Sequence, residues 1–448
     1  MDWTTIENRM KEQFFSLQSQ KTARHALSVS VDGQRFSDID YTCKSRASWS
    51  ALGHLVNLAA LSGCYAYDRQ GFCYRDETVK TLIIGGLEFW FQHDFHNPNW
   101  WYNDLGVPQQ LRLIALYLHG ELPQELFGRI LARLQDDIED RWTGTNRMWF
   151  AENLLFRAVL TQDEALLLKA RSYLQETMAV ADKPGVEGMQ VDGSYAQHGM
   201  QLYNNGYGYS FLAQLTKWMY ILDTDGARLD ADAMAHVTQS VLQGLRFMCR
   251  YDEADPNSRS REIVRGFSPS PQHQMESRLG PLRLLYTVSR DAAVKSQLQN
   301  FMDFIQKKRT NPGKCANTMY YRLDFMTQSR DRFYASTRLL SKHTLGGDVC
   351  GPSRDDMRVV NGENVRAGFT GYGMTLCMLD GSEYHNIYPL WNWGRLPAVT
   401  SPEICLHLEQ GALCDNAFAG GASHGCFGVC GFSFEKEYRH NGKKDAFG

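Results

Sequence analysis

No apolar run in this chain of 448 residues approaches the roughly 18 that a membrane-crossing helix needs, so no helical span is expected. The opening MDWTTIENRMKEQFF has no basic region followed by an apolar stretch and does not read as a secretory signal. There is no CxxC pair and no Cys/His spacing of a zinc site. The eleven cysteines, an odd number spread from Cys43 to Cys430, read as small buried hydrophobes with free thiols, which favours a reducing compartment. A formal net charge of -3 supplies no broad basic face; nucleic acid is not an expected partner, and an anionic ligand would need a local patch. What is plentiful is aromatic side chain, 12% of residues with 10 Trp and 21 Tyr, against an ordinary 43% hydrophobic and 22% charged. Most of these rings belong in cores, and only those clustered beside polar turns are candidates for stacking on sugars. The length suits two domains.

From the N-terminus to about Lys308 the pattern is that of helices joined by polar turns. Leu166, Ala170, Leu174 and Met178 recur at helical spacing, with Thr161 and Glu164 as a capping box ahead of them. Pro123 opens a second helix, and Asp230 is placed to cap a long one running through Met248. About ten helices, several paired as hairpins, can close into a ring or stack into a solenoid, and no strict period favours the solenoid. Near Asn311-Pro312-Gly313 the period changes. Met319, Tyr321, Leu323 and Phe325 alternate with polar residues, as do Phe333, Ala335, Thr337 and Leu339. The expected organisation is an α+β chain, residues 1–310 helical and 317–448 an antiparallel β-domain. Its last residues, EKEYRHNGKKDAFG, show no closing element, so the β-domain reads as partial.

The segment Asp192–Tyr207, DGSYAQHGMQLYNNGY, holds His198 and Tyr207 in a glycine-broken stretch that no single helix can span. General acid–base groups need such a loop on a rigid scaffold, although a lone histidine or tyrosine is more often structural. Asn146 lies where a turn passes into a helix; it is a cap, or an amide able to donate to a carboxylate. Arg261 and Arg265 are four residues apart, on one face if helical, and a guanidinium beside a tyrosine stabilises the phenolate. Glu363 is a turn carboxylate able to pair with such an arginine. Trp100 and Trp101 are adjacent and must splay, leaving one to stack on sugars. Trp391 and Trp393, two apart, form a possible second wall, with core packing the expectation for at least one of the four.

In this order the motifs resemble the polysaccharide lyases of the chondroitin AC, hyaluronate and xanthan lyase family. The run NWW matches Asn99, Trp100 and Trp101; TGxN matches Asn146; DGSxxQHGxQLYxxxYG matches His198 and Tyr207. The arginine motif matches Arg261 and Arg265, NxEN matches Asn361, Glu363 and Asn364, and PxWxW matches Pro389, Trp391 and Trp393. Tyr102 and Asn103 after NWW look closer to the chondroitin AC type, and the β-region is shorter than the family's. The resemblance implies an α/α toroid followed by an antiparallel β-sandwich domain, and β-elimination on a uronic acid polymer. Asn146 would mask the carboxylate with help from His198, and Tyr207, activated by Arg261, would move the proton. The choice between His198 and Tyr207 as base stays open. Glu363 would orient Arg261, while Arg265, Asn364 and the four tryptophans bind substrate. It implies no metal or organic cofactor, an acidic polysaccharide as partner, no membrane and a monomer. It also implies export, against which stand the free thiols and the absence of a leader. An inverting glycoside hydrolase using Asp104 and Asp192, or a non-catalytic polysaccharide-binding protein, are the alternatives.

Overall fold

Amphipathic segments separated by short polar turns give twelve α-helices among the described residues. The computed structural model describes residues 1–46, 48–264, 271–313, 316–347, 370–385, 387, 391–399, 416–433, 436–440 and 443–447. The helices are α1 (Trp3–Phe14), α2 (Leu17–Val29), α3 (Leu52–Ala66), α4 (Glu77–His93), α5 (Val107–Tyr117), α6 (Gln124–Arg133), α7 (Gly144–Thr161), α8 (Glu164–Thr177), α9 (Tyr207–Ile221), α10 (Ala231–Gln243), α11 (Pro271–Val288) and α12 (Ala292–Ile305). Neighbours pair as hairpins, α2 on α3, α7 on α8 and α11 on α12, and α1 returns to α9, so the hairpins form an α/α toroid.

Two apolar clusters fill this ring. One gathers Phe156, Phe211 and Trp218 with the helices from α7 onward, and the other gathers Leu58, Trp90 and Leu111 from α3 to α5; Trp101 packs against both. Arg112 is buried between them without being left unpaired. Its Nη2 donates to Glu152 Oε2 at 2.8 Å and its Nη1 to Asn153 Oδ1 at 2.7 Å, while Trp218 Nε1 donates to the other Glu152 oxygen at 2.8 Å.

Two-residue ladders punctuate the helical part: β1 (Ser30–Val31) with β2 (Arg35–Phe36), β3 (Gly188–Met189) with β4 (Tyr195–Ala196), and β5 (Cys249–Arg250) with β6 (Glu253–Ala254). Beyond Asn311-Pro312-Gly313 an antiparallel sheet has the order β10-β9-β8-β7, built from β7 (Ala316–Tyr320), β8 (Phe325–Ser329), β9 (Tyr334–Arg338) and β10 (Met374–Met378). Two hairpins follow, β11 (Ala419–Ser423) with β12 (Gly428–Phe432) and β13 (Lys436–His440) with β14 (Lys443–Phe447).

The helical part and the sheet meet along residues 248–264. Asp255, fully buried, accepts from Tyr334 Oη at 2.6 Å and Ser336 Oγ at 3.1 Å on β9, and from Asn257 N at 2.9 Å. Asn257 Nδ2 donates to Ser336 Oγ at 3.0 Å and to the Met374 carbonyl of β10 at 3.1 Å. A buried polar cluster bonded across the boundary in this way fixes one register between the two parts.

Several local expectations change. Thr161 is the last residue of α7, which Gln162 closes in the left-handed region at φ 51°. That leaves Asp163 extended, and its side chain, not that of Thr161, caps α8 by accepting from Leu166 N at 2.9 Å. The helix after Asp230 stops at Gln243, because the backbone at Gly244 lies so near the Gly193 carbonyl that a Cβ would stand 2.1 Å from that oxygen. Tyr321 and Leu323 belong to the β7–β8 turn. On β9 the buried face carries Tyr334, Ser336 and Arg338, not the alternate set Ala335 and Thr337.

Burial pushes the Asp255 carboxyl up to about 6, against the opposing pull of its bonds to Tyr334, Asn257 and Ser336. With a folded pKa above the free value of 3.8, the native protein holds this proton more tightly than the unfolded chain. The stability it supplies is therefore full below about pH 4 and lost as pH rises through about 6. The difference in urea midpoint between wild type and Asp255→Asn should move in the variant's favour from pH 4 to pH 7, by the equivalent of about 2 kcal/mol. A difference that does not change with pH contradicts a titrating carboxyl at this position.

Candidate active site

His198 and Tyr207 meet because the chain between them folds back on itself. After β4 the backbone turns sharply, with φ of 54° at His198 and 82° at Gly199. Tyr203 N then returns to the Tyr195 carbonyl at 2.9 Å, and α9 opens at Tyr207. The His198 and Tyr207 rings lie 4.8 Å apart between centroids at 62°, with the Tyr203 ring 5.1 Å from Tyr207.

The first turn of α7 enters the same space. Thr145 N donates to Gln197 Oε1 at 2.9 Å, and its hydroxyl donates to the Tyr207 carbonyl at 3.2 Å while sharing a 2.7 Å hydrogen bond with the Tyr195 hydroxyl. Burial pushes the Tyr195 phenol well above its ordinary range, so it stays neutral in this contact. Asn146, the next residue, is only 9% exposed, and its Oδ1 has no hydrogen-bond partner among the described residues. A half-turn of the amide exchanges that oxygen for the NH2 group, so the position can present N–H to an anionic group. Trp149, three residues on and on the same helix face, sets its ring 5.8 Å from that of Tyr207.

Arg261 arrives from a separate segment. It sits in a 3-10 turn, Ser260–Val264, and its Nη2 donates to the Tyr207 hydroxyl oxygen at 3.2 Å. A cation donating to that oxygen stabilises negative charge on it. The turn is held by Ile263, buried with Leu340, Met374 and Trp393, and by Asn205, whose N donates to the Ser258 carbonyl at 3.0 Å and whose Nδ2 donates to Ser258 Oγ at 2.7 Å.

The tryptophans divide as their adjacency requires. Trp100 is 38% exposed and lies tilted against Trp142, 4.4 Å between centroids at 31°. Trp101 turns inward against Trp149 at 5.9 Å. Trp393 is buried under the Arg261 turn and Trp391 packs partly buried against it at 5.5 Å, so this pair serves packing in the way expected of at least one of the four. Arg265, Glu363 and Asn364, with Asn361 and Pro389, lie outside the described residues. Of the hydrolase carboxylates, Asp104 is half-buried, and burial holds its carboxyl above the ordinary range. Asp192 is engaged in the fold, Oδ1 accepting from Ser194 Oγ at 2.6 Å and Oδ2 from Arg322 N at 2.7 Å.

Sequence reasoning missed several members. Trp149 could have been found from its i+3 spacing to Asn146, and Trp142 from its place just before the TGTN turn. Glu187 had no local signal: it accepts from Thr143 Oγ1 at 2.8 Å, Gln197 Nε2 at 2.7 Å and Gly199 N at 2.5 Å, partners 44, 10 and 12 residues away. It ties the start of α7 to the His198 turn. Among the described residues no group of three or more His, Cys, Asp or Glu is placed to hold a metal ion, and no helix is long and apolar enough to cross a membrane.

A toroid of helical hairpins runs into antiparallel sheets, and the two parts match the two domains of one class of protein, the polysaccharide lyases. Residues 4–302 match the polysaccharide lyase family 8 N-terminal alpha-helical domain, and residues 315–447 match the super-sandwich domain of the same family. The chain belongs to polysaccharide lyase family 8. It is 26% identical over 433 residues to a chondroitinase-AC of Pedobacter heparinus, covering 93% of this chain and 58% of that one. It is 24% identical over 355 residues to a xanthan lyase of a Bacillus species, covering 73% of this chain and 38% of that one. A solved chondroitinase AC lyase shares the fold with a TM-score of 0.85 at 22% identity, covering all of this chain and 64% of that one. The chain thus spans about three-fifths of the length of the chondroitinase it matches.

Gly144 shows how closely α7 is seated. Its φ is 51°, and a Cβ there would stand 2.4 Å from Gln197 Oε1, the acceptor for Thr145. Gly144→Ala should lower stability by about 1–3 kcal/mol and reduce activity with it, read by urea midpoint and turnover; an unaltered midpoint contradicts the seating described.

Proposed function

We propose that this chain cleaves a uronic-acid-containing glycosaminoglycan of the chondroitin or hyaluronan type by β-elimination. The observation that carries the proposal is the 3.2 Å hydrogen bond from Arg261 Nη2 to the Tyr207 hydroxyl, with the His198 ring against the same tyrosine and Asn146 one residue from Thr145, which binds the Tyr207 carbonyl. The names of the chondroitinase-AC and of the structurally similar lyase support the substrate class.

The C5 proton of a uronate is weakly acidic, because removing it beside a carboxylate concentrates negative charge. Asn146 meets this by donating its amide to the carboxylate, and His198 assists from the other side of the turn. Tyr207, as the phenolate stabilised by Arg261, takes the C5 proton. The released electron pair forms the C4–C5 double bond, and the C4–O bond breaks. Tyr207 then gives the proton to the departing oxygen, so no water is consumed and the product has a 4,5-unsaturated uronate end. Trp100 on Trp142 supplies an exposed ring face for a sugar near this centre. Glu363, Arg265 and Asn364 keep the roles of orienting Arg261 and gripping substrate, and Trp391 with Trp393 acts from beneath the Arg261 turn. The division at 1–310 and 317–448, a monomeric state and work outside the cytoplasm, where such polymers occur, complete the proposal.

Two substitutions test it, with chondroitin and hyaluronan as substrates and ultraviolet absorbance of the new double bond as readout. Tyr207→Phe should remove turnover by about 10²–10⁴-fold while leaving polymer binding nearly intact. Asn146→Ala should slow proton abstraction by about 10²–10³-fold. Near-normal turnover in either variant removes that residue from its role, and a wild-type product that lacks ultraviolet absorbance removes the reaction class.

A further inference from the structure

The two groups that flank Tyr207 are both carried by strained backbone, and a single buried amide holds both. His198 has φ 54°, and Ser260, the residue immediately before Arg261, has φ 48°. Neither is glycine, and a side chain is disfavoured in the left-handed region unless its surroundings over-determine it. Gln201, 1% exposed, supplies that constraint from one side chain. Its Nε2 donates to the His198 carbonyl at 2.8 Å, and its Oε1 accepts from Ser260 Oγ at 2.7 Å, where Ser260 is itself 1% exposed. Its own backbone N donates to the Gly199 carbonyl at 2.9 Å, so the amide cannot drift from the turn it holds.

We infer that Gln201 is a positioning residue that sets the distance between His198 and Arg261 across Tyr207. The inference rests on the lyase mechanism above for its catalytic consequence, though not for its geometry. The chemistry demands an amide: the His198 side needs a donor and the Ser260 side an acceptor, and no carboxylate or aliphatic chain of this length offers both in fixed positions. Neither bonded atom belongs to a side chain that touches substrate in the mechanism. Gln201 acts instead on the backbone turns from which His198 and Arg261 project, so its loss misplaces the reacting groups without removing any of them.

The test uses the whole chain and two variants, Gln201→Met, which keeps the length and loses both bonds, and Ser260→Ala, which loses only the arginine side. Crystal structures of both should show the Arg261 to Tyr207 contact lengthened beyond about 3.5 Å, the limit of a hydrogen bond. In Gln201→Met alone, His198 should also leave the left-handed region. Displacement of that order should lower kcat by about 10²-fold in Gln201→Met and by less in Ser260→Ala, with KM in both within about threefold of wild type. Loss of melting temperature with kcat unchanged, or an undisturbed contact in both structures, overturns the inference. Should Gln201→Met not fold, Ser260→Ala decides alone by the same distance and the same split of kcat from KM. A wild-type chain that releases no unsaturated product defeats the lyase proposal, and the distances then still decide the positioning role.

Discussion

Arg261 reaches the Tyr207 hydroxyl from a segment that is fixed to the sheet below. Asp255 receives two hydroxyls from β9, Asn257 spans from β9 to β10, and Ile263 closes the turn against Leu340 and Trp393. Without the sheet, Asp255 and Asn257 would lose the partners on β9 and β10 that satisfy them in the interior, and the turn would be held only from the helical side, by Asn205 and Gln201. The helical part brings the phenol, the histidine and the amide, and the sheet brings the cation's support. The site is a property of the contact between them, and the polar cluster around Asp255 is the constraint that defines that contact.

Above this base the residues are placed by backbone more than by side-chain packing. His198, Gly199 and Ser260 all occupy the left-handed region, and Gly144 opens α7 in the same conformation. Such turns bring the ends of distant elements within hydrogen-bond reach but are unfavourable in isolation, so each is met by a specific partner. Glu187 ties the α7 start to the His198 turn, and Gln201 ties the His198 turn to the Arg261 turn. Among the described residues, Asn146 Oδ1 is one of the buried side-chain atoms in this region without a hydrogen-bond partner.

Much of this could be read from the chain, and the failures have a common physical cause. The change from helical to alternating periodicity near Pro312 falls between α12, which ends at Ile305, and β7, which opens at Ala316, because burial on a helix stripe and on a sheet face leave different periods. The glycine-broken segment from Asp192 to Tyr207 and the turn before Asn146 were legible because their chemistry is local. The face of β9 was not. Its buried residues Tyr334, Ser336 and Arg338 are polar, satisfied by Asp255 and by the Gly346 carbonyl, which accepts from Arg338 Nη2 at 2.7 Å. Hydropathy alternation therefore pointed to the wrong side. Glu187 was invisible for a similar reason, since nothing near it in sequence tells what it binds. Asp163 replaced Thr161 as cap because the left-handed Gln162 ends α7 one residue after Thr161.

The central claim is that a uronate carboxylate lies on the Asn146 amide with its C5 hydrogen facing the Tyr207 oxygen. The most direct measurement is a crystal structure of the Tyr207→Phe chain with a chondroitin oligosaccharide bound. The account predicts the Asn146 Nδ2 at about 2.7–3.2 Å from a carboxylate oxygen, with the C5–H bond directed at the edge of the Phe ring where the hydroxyl had been. A carboxylate turned away from Asn146, or a glycosidic bond lying outside the space between His198 and Arg261, would contradict it.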